Sequence, residues 1–132
     1  MSALSVQPLY DTKAPILVID DQPLMVDLIT RIIRHLGFEN VDHSKDGMTA
    51  LLMMARKKYR LVISDWQMEP LDGLTLLRTV RADRLLARTK FLIMTARMNS
   101  DDVVEAKSAG VDNFILKPFT PEALQAKIAE IL

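Results

Sequence analysis

Short apolar runs alternate with amphipathic segments five times along the chain. The runs that predict β-strands span residues 16–20, 40–44, 61–64, 91–95 and 113–116. The first, third and fourth runs are almost continuously apolar, which is typical of central parallel strands that helices cover on both faces. The second run alternates polar and apolar residues, so we expect it to form an edge strand.

The segments between and after these runs have the spacing of five helices. The first carries apolar residues at i, i+3, i+7 and i+10 from Val26, and Gly37 is suited to end it. A second helix is marked by residues 50 and 54, a third spans 73–81, and a fourth spans 100–109. The last begins at Thr120 as N-cap, with Pro121 at its first helical position.

Strict alternation of strands and helices predicts a parallel sheet with helices on both faces, joined by right-handed crossovers. The expected fold is therefore α/β, with a doubly wound five-stranded parallel sheet and five flanking helices. A length of 132 residues is typical of one domain. We assign residues 1–14 to an N-terminal lead-in and residues 15–132 to the domain itself.

Composition argues against several classes of function. Lys plus Arg and Asp plus Glu number 17 each, so net charge gives no attraction to nucleic acid or to an anionic membrane. The chain has no cysteine, which excludes disulfides and cysteine nucleophiles and fits a cytoplasmic location. The N-terminus lacks the features of a signal peptide, and no apolar stretch approaches the roughly 20 residues that span a bilayer.

Polar residues stand where four of the five predicted strands end. Asp20 and Asp21 end the first strand, Asp65 follows the third, Thr95 ends the fourth and Lys117 follows the fifth. Ligands of open α/β sheets bind outside the carboxyl ends of the strands. We therefore expect three carboxylates, a hydroxyl and an ammonium group to converge on one edge of the sheet.

This combination of groups suits phosphoryl chemistry. Three neighbouring carboxylates repel each other unless a pKa rises or a cation is bound, and an all-oxygen site suits Mg²⁺. Mg²⁺, Lys117 and the Thr95 hydroxyl can neutralise the oxygens of a transferred phosphoryl group. Because aspartate is an established covalent nucleophile for phosphate, the pattern predicts an aspartyl phosphate.

Each of these residues also has an ordinary structural explanation. Asp20 and Asp21 suit a helix N-cap, Thr95 suits a strand-end hydroxyl, and Lys117 suits a solvated lysine. Asp65 is harder to explain in this way, because a carboxylate rarely follows a buried strand without a partner. The position of all five residues on one edge favours a functional site.

The segments VIDDQP, LVISDWQMEPLDG, FLIMTAR and NFILKPF resemble, in order and spacing, the motifs of response-regulator receiver domains, the CheY-like family of two-component signalling. The resemblance runs from residue 16 to residue 132. It implies a sheet in the strand order 2-1-3-4-5, and it implies that Asp65 is the phosphoacceptor. It identifies the domain as a signalling module and not as an enzyme acting on other substrates.

The resemblance also implies a role for the residues around Asp65. Thr95 and Lys117 would contact the phosphoryl group, and the Lys117–Pro118 peptide bond would be cis. Phe114 matches an aromatic position whose rotamer follows the movement of Thr95, although a core phenylalanine explains it equally well. The implied Mg²⁺ ligands are Asp20, Asp21, Asp65 and the backbone carbonyl of Gln67.

Three further residues are expected to tune the site. Gln67 and Arg97 flank the path of an attacking water in this fold, so we expect them to set the lifetime of the phosphate. Arg97 would do so by blocking the water, or by pairing with Gln67 or Glu69. Glu69 stands where many family members have proline, and it is either an outer-shell acid that orders Mg²⁺ waters or a solvated charge.

The expected partners are a sensor histidine kinase or phosphotransfer protein and a downstream protein target, a motor switch or a kinase. We expect output through helix 4, strand 5 and helix 5, in chemotaxis or motility signalling, because no output domain follows residue 132. The protein is expected to be a monomer, with dimerisation on phosphorylation left open. Neither nucleic acid nor a membrane is an expected partner.

Other functions remain open at this stage. A phosphate sink or phosphorelay intermediate would have the same site without a direct output target. A Mg²⁺-dependent aspartyl-phosphate phosphatase would share the acidic edge, but it would place its nucleophile after strand 1 and carry a substrate cap. A flavodoxin-like redox protein would need a phosphate-binding loop where this chain has DDQP. His35 is better explained as a surface residue near a helix end than as a phosphotransfer histidine.

Overall fold

The computed structural model describes residues 11–132, so most of the expected lead-in, residues 1–14, lies outside the described part of the chain. The described residues alternate strictly between strand and helix. In chain order the elements are β1 (Ile16–Ile19), α1 (Pro23–His35), β2 (Val41–Ser44), α2 (Gly47–Arg56), β3 (Leu61–Asp65), α3 (Gly73–Ala82), β4 (Lys90–Thr95), α4 (Ser100–Ala109), β5 (Asn113–Leu116) and α5 (Pro121–Ile131).

The five strands form one parallel sheet in the order β2-β1-β3-β4-β5. This confirms the expected fold class and strand order, and it places β2 at an edge as its alternating pattern predicted. Ile19 pairs with Ser64, and Asp65 pairs with Met94 on the next strand. These registers bring the ends of β1, β3 and β4 level with one another at the carboxyl edge.

Two apolar layers cover the two faces of the sheet. One is formed with α1 and α5, where Ile29, Ile33 and Leu124 are fully buried against the strands. The other is formed with α2 and α3, where Met54 and Leu77 are buried in the same way. Helices on both faces leave only the strand edges and ends open to a ligand.

Local polar contacts define where the helices begin. The side chains of Asp46 and Asp72 accept hydrogen bonds from backbone amides of the first turns of α2 and α3, each at 2.7 Å. Asn99 caps α4 in a reciprocal capping box, and Thr120 caps α5 as its sequence predicted. Helix α1 differs, because its N-cap is Gln22 and no side chain caps it. The carboxylates of Asp20 and Asp21 are therefore not used as the N-cap of α1.

No helix in the described range, residues 11–132, is long and apolar enough to cross a lipid bilayer.

A small polar network fixes the edge strand β2 to the rest of the sheet. The hydroxyl of Tyr59 donates a hydrogen bond to Asp42 at 2.6 Å, and the Lys57 ammonium reaches the same carboxylate oxygen at 2.9 Å. The Tyr59 hydrogen bond and the charge of Lys57 lower the pKa of Asp42. Burial and the neighbouring Asp42 raise the pKa of Tyr59, so the phenol stays protonated at neutral pH.

We expect Tyr59→Phe to lower the free energy of unfolding by about 1–3 kcal/mol at pH 6.5, because it removes a hydrogen bond to a charged acceptor. Asp42 has a lower pKa in the folded state than in the unfolded state, so its contribution is present above pH ~4 and is lost as the pH falls through the folded-state pKa. The difference between the variant and the parent should therefore shrink in urea titrations carried out near pH 3.

Asp42→Asn provides the control for this measurement. In that background, Tyr59→Phe should cost less than in the parent, and the cost should no longer depend on pH below neutrality. A pH-independent difference between the parent and Tyr59→Phe would contradict the role assigned to Asp42.

Candidate functional site

The structure brings Asp20, Asp21, Asp65 and Lys117 together at the carboxyl edge of the sheet. Asp20 and Asp21 follow β1, Asp65 is the last residue of β3, and Lys117 follows β5. One carboxylate oxygen from each of the three aspartates lies within 4.8 Å of the others. Residues at the ends of two different strands therefore form one acidic cluster.

Lys117 connects two of these carboxylates. Its Nζ lies 3.2 Å from Asp20 Oδ2 and 3.3 Å from Asp65 Oδ1. The other oxygen of Asp20 accepts a hydrogen bond from the backbone amide of Gln22 at 2.9 Å. Both carboxylate oxygens of Asp20 therefore have partners. Asp20 is only 1% exposed, and an unpaired charge at such a buried position would be strongly destabilising.

Opposing effects act on the Asp65 carboxylate. Burial raises its pKa, the Lys117 ammonium lowers it, and the neighbouring Asp20 raises it again, with a net rise above the ordinary value. Three carboxylates thus share this edge with one ammonium group among the clustered residues. The three carboxylates suit Mg²⁺, which prefers oxygen ligands. Mg²⁺ usually binds only a few protein ligands, and its remaining coordination positions are filled by water or phosphate oxygens. Asp20, Asp21 and Asp65 would hold the ion.

Thr95 lies at the same edge, but its hydroxyl is engaged with the following loop. It donates a hydrogen bond to the carbonyl of Arg97 at 2.7 Å and accepts one from the Arg97 amide at 3.3 Å. Thr95 is buried at 4% exposure. Movement of this hydroxyl toward Asp65 would therefore break its hydrogen bond to the Arg97 carbonyl.

Phe114 is half-buried in β5 and packs against the apolar layer on the α2 and α3 side. The ammonium of Lys127 lies 5.9 Å from the centre of its ring. The ring therefore has both an apolar neighbourhood and a cation beside it.

Gln67, Glu69 and Arg97 all have exposed side chains around the site. Within residues 11–132, Arg97 forms no ion pair or side-chain hydrogen bond, so its expected pairing with Gln67 or Glu69 is not formed. Glu69 is absent from the three-carboxylate cluster found in that range. Gln67 and Glu69 line an open cleft together with Asp21, Trp66, Met68 and Asp72.

Two peptide bonds in the loops of this edge are cis, Lys117–Pro118 and Glu69–Pro70. The resemblance to receiver domains implied the first. The second was not anticipated, because the sequence shows only that a proline follows Glu69.

Gly73 is a residue of the site that sequence analysis did not single out. Its amide donates to the carbonyl of Trp66 at 2.8 Å, and the Trp66 amide donates to Met94 at 2.8 Å. A β-carbon on Gly73 would overlap the carbonyl oxygen of Asp65. The start of α3 can approach the end of β3 this closely only because residue 73 has no side chain.

The chain was compared with known proteins. A family model described as "Response regulator receiver domain" matches residues 16–129. The chemotaxis protein CheY of Pseudomonas aeruginosa is 40% identical over 116 residues, which cover 88% of this chain and 94% of that protein. The structure of Vibrio cholerae chemotaxis protein CheY4 aligns with a TM-score of 0.86 at 25% identity, over 91% of this chain and 99% of the other.

A further solved structure concerns the metal. The receiver domain of a Pseudomonas aeruginosa sensor histidine kinase, described with a magnesium ion coordinated in its active-site cleft, aligns with a TM-score of 0.79 at 28% identity. The alignment covers 89% of this chain and 95% of that domain.

We expect Gly73→Ala to lower the free energy of unfolding by about 1–3 kcal/mol, because the added methyl group forces apart α3 and the end of β3. Gly47 is a matched control, since it is the first residue of α2 just as Gly73 is the first residue of α3. A β-carbon at Gly47 would lie 3.0 Å from the end of the Leu71 side chain and 3.2 Å from the Leu71 carbonyl oxygen, so it would be crowded less than one at Gly73. Urea unfolding should show a smaller loss for Gly47→Ala, and equal losses would contradict the proposed close approach.

Proposed function

The chain belongs to the family of response-regulator receiver domains, and from this premise we propose that Asp65 accepts a phosphoryl group from a histidine kinase or phosphotransfer protein. The observation that carries the proposal is the position of Lys117, whose ammonium lies within 3.3 Å of both Asp65 and the buried Asp20. A cation in this position can neutralise a phosphoryl oxygen once the phosphate is attached to Asp65.

In the proposed reaction an Asp65 oxygen attacks the phosphorus of a phosphohistidine. The P–O bond forms as the P–N bond to the imidazole breaks, and the released nitrogen takes up a proton. Lys117 holds the attacking carboxylate and then pairs with the transferred group. Mg²⁺ bound by Asp20, Asp21, Asp65 and the Gln67 carbonyl would neutralise charge on the phosphoryl oxygens.

Phosphorylation would be transmitted through the Thr95 hydroxyl. To reach the phosphoryl group, this hydroxyl must leave the carbonyl of Arg97, which removes one of the contacts that hold the loop before α4. The surface formed by α4, β5 and α5 would then shift toward the form that binds a protein target. Similarity to chemotaxis proteins supports a target in motility signalling, a motor switch or a kinase.

The domain limits follow from the same reasoning. We propose that the receiver domain spans residues 15–132 and that residues 1–14 precede it. The family model, which matches residues 16–129, supports this division.

Acetyl phosphate with Mg²⁺ should phosphorylate the protein and change the fluorescence of Trp66, the single tryptophan, whose position is next to the acceptor. Intact mass spectrometry should show one added phosphoryl group. Asp65→Asn should abolish both signals, because the amide cannot form the acyl phosphate. Asp101→Asn, an exposed carboxylate in the first turn of α4, is the control and should behave as the parent. A fluorescence change that survives Asp65→Asn would refute the assignment.

The lifetime of the phosphate should depend on Arg97. Its side chain is exposed, and its backbone carbonyl accepts a hydrogen bond from the Thr95 hydroxyl at the same edge of the sheet. We expect slow to moderate self-dephosphorylation that requires Mg²⁺, and a several-fold shorter half-life in Arg97→Ala. Loss of phosphoprotein can be followed after removal of acetyl phosphate, with Lys107→Ala as a control cation on the outside of α4. A half-life of seconds that Arg97→Ala leaves unchanged would contradict this role.

A further inference from the structure

A cleft lies at the edge of the sheet opposite the carboxylates. Its lining comes from residues that precede three parallel strands: 11 and 13–15 before β1, 58–60 before β3, and 84, 85, 88 and 89 before β4. It has a volume of about 590 Å³, within the range of small-molecule sites in proteins. Nothing in the proposed phosphorylation chemistry uses this cleft.

Positive charge is concentrated around the cleft. Its lining includes five exposed cations and one carboxylate, Asp11, which accepts a hydrogen bond from the backbone of Lys13. Of the 17 Lys and Arg side chains, six form ion pairs within residues 11–132, and none of those six is in the cleft. The five cations are Lys13, Lys58, Arg60, Arg84 and Arg88.

Asp11 is the only counter-charge that the described lining residues supply to these groups. The other described carboxylates lie outside the lining, and residues 1–10, MSALSVQPLY, contain no acidic residue. Like charges held together in one concave site repel each other, and an anion bound among them would relieve that repulsion.

Thr89 offers a hydroxyl group to the cleft. Thr89 is 8% exposed and lines the cleft. Its backbone amide donates to Leu86, and its carbonyl accepts from Arg81. Its hydroxyl forms no hydrogen bond within the described residues, and it is not one of their buried polar atoms without a partner, so solvent reaches it. The hydroxyl is therefore available to donate a hydrogen bond to an acceptor oxygen of a ligand.

We propose that this cleft binds a compact ligand that carries two or more phosphate groups. Each of the three guanidinium groups can donate two hydrogen bonds to a pair of phosphate oxygens. The two ammonium groups and the Thr89 hydroxyl add further donors. The concave shape favours a compact polyanion over an extended acidic peptide, whose carboxylates would be spaced along a groove. Leu85, which is 85% exposed, offers an apolar surface for an organic part of the ligand.

The test is calorimetric titration of the full chain with inorganic tripolyphosphate and, separately, with adenosine triphosphate. Both titrations are done in EDTA, so that Mg²⁺ cannot hold phosphate at the opposite, acidic edge. Saturable binding of one ligand per chain is expected. Tighter binding of the nucleotide would mean that an organic part contributes, and equal binding would mean that the phosphates alone are recognised.

Two double variants distinguish specific binding in the cleft from general electrostatic attraction to the protein surface. Arg84→Gln with Arg88→Gln should weaken binding by about tenfold or more, because both remove charge-assisted hydrogen bonds. Arg34→Gln with Lys107→Gln removes the same charge from exposed positions outside the cleft and should weaken it by less than about twofold.

Substitution of Thr89 tests for a specific hydrogen bond, because it leaves the charge of the cleft unchanged. Thr89→Val keeps the shape and should weaken binding several-fold, whereas Thr89→Ser should restore it, with thermal unfolding used to show that both variants are folded. The proposal is overturned if binding does not saturate, if both double variants lose affinity equally, if Thr89→Val binds as the parent, or if poly-L-glutamate binds more tightly than tripolyphosphate.

Discussion

The contact on which the site depends is the Lys117 ammonium held between the carboxylates of Asp20 and Asp65. Asp20 is almost completely buried, and a buried carboxylate without a partner would be strongly destabilising. Its partner Lys117 is 97 residues away in sequence and follows β5, the outermost strand on that side of the sheet. The lysine reaches past β4 to the ends of β3 and β1. The strand order therefore places Lys117 within reach of both carboxylates, and the contacts of Lys117 in turn hold the end of β5 near the ends of β1 and β3.

The same contact leaves the edge short of positive charge. Lys117 lowers the pKa of Asp65, but burial and Asp20 outweigh it, and Asp21 adds a third carboxylate to the cluster. A divalent cation would remove this imbalance, and a phosphoryl group bound afterwards would have both cations beside it. In the proposed function, the excess of acid is therefore what makes phosphorylation depend on a metal ion.

Most of the strands and helices could be predicted from the sequence, because the spacing of apolar residues and the capping residues determine where they lie. The predicted strand limits agree with the structure to within one residue, since each apolar run ends where polar residues begin, and Gly110 ends α4 in the left-handed conformation that glycine favours. The location of Asp20, Asp65 and Lys117 at one edge followed from sheet polarity. The distances between these side chains could not be predicted from the sequence, and neither could the hydrogen bond between Thr95 and Arg97. Both depend on how the side chains and loops pack.

Net charge does not describe how charge is distributed over the structure. Equal totals of 17 acidic and 17 basic residues give no net attraction to nucleic acid or to an anionic membrane, but the charges are separated within the structure. A parallel sheet places the beginning of every strand at one edge and the end of every strand at the other. Topology therefore gathers the carboxylates that follow β1 and β3 at one edge and the cations that precede β1, β3 and β4 at the opposite edge. A chain with no net charge can in this way carry an acidic cluster at one edge and, in the proposed polyphosphate cleft, a cluster of cations at the other.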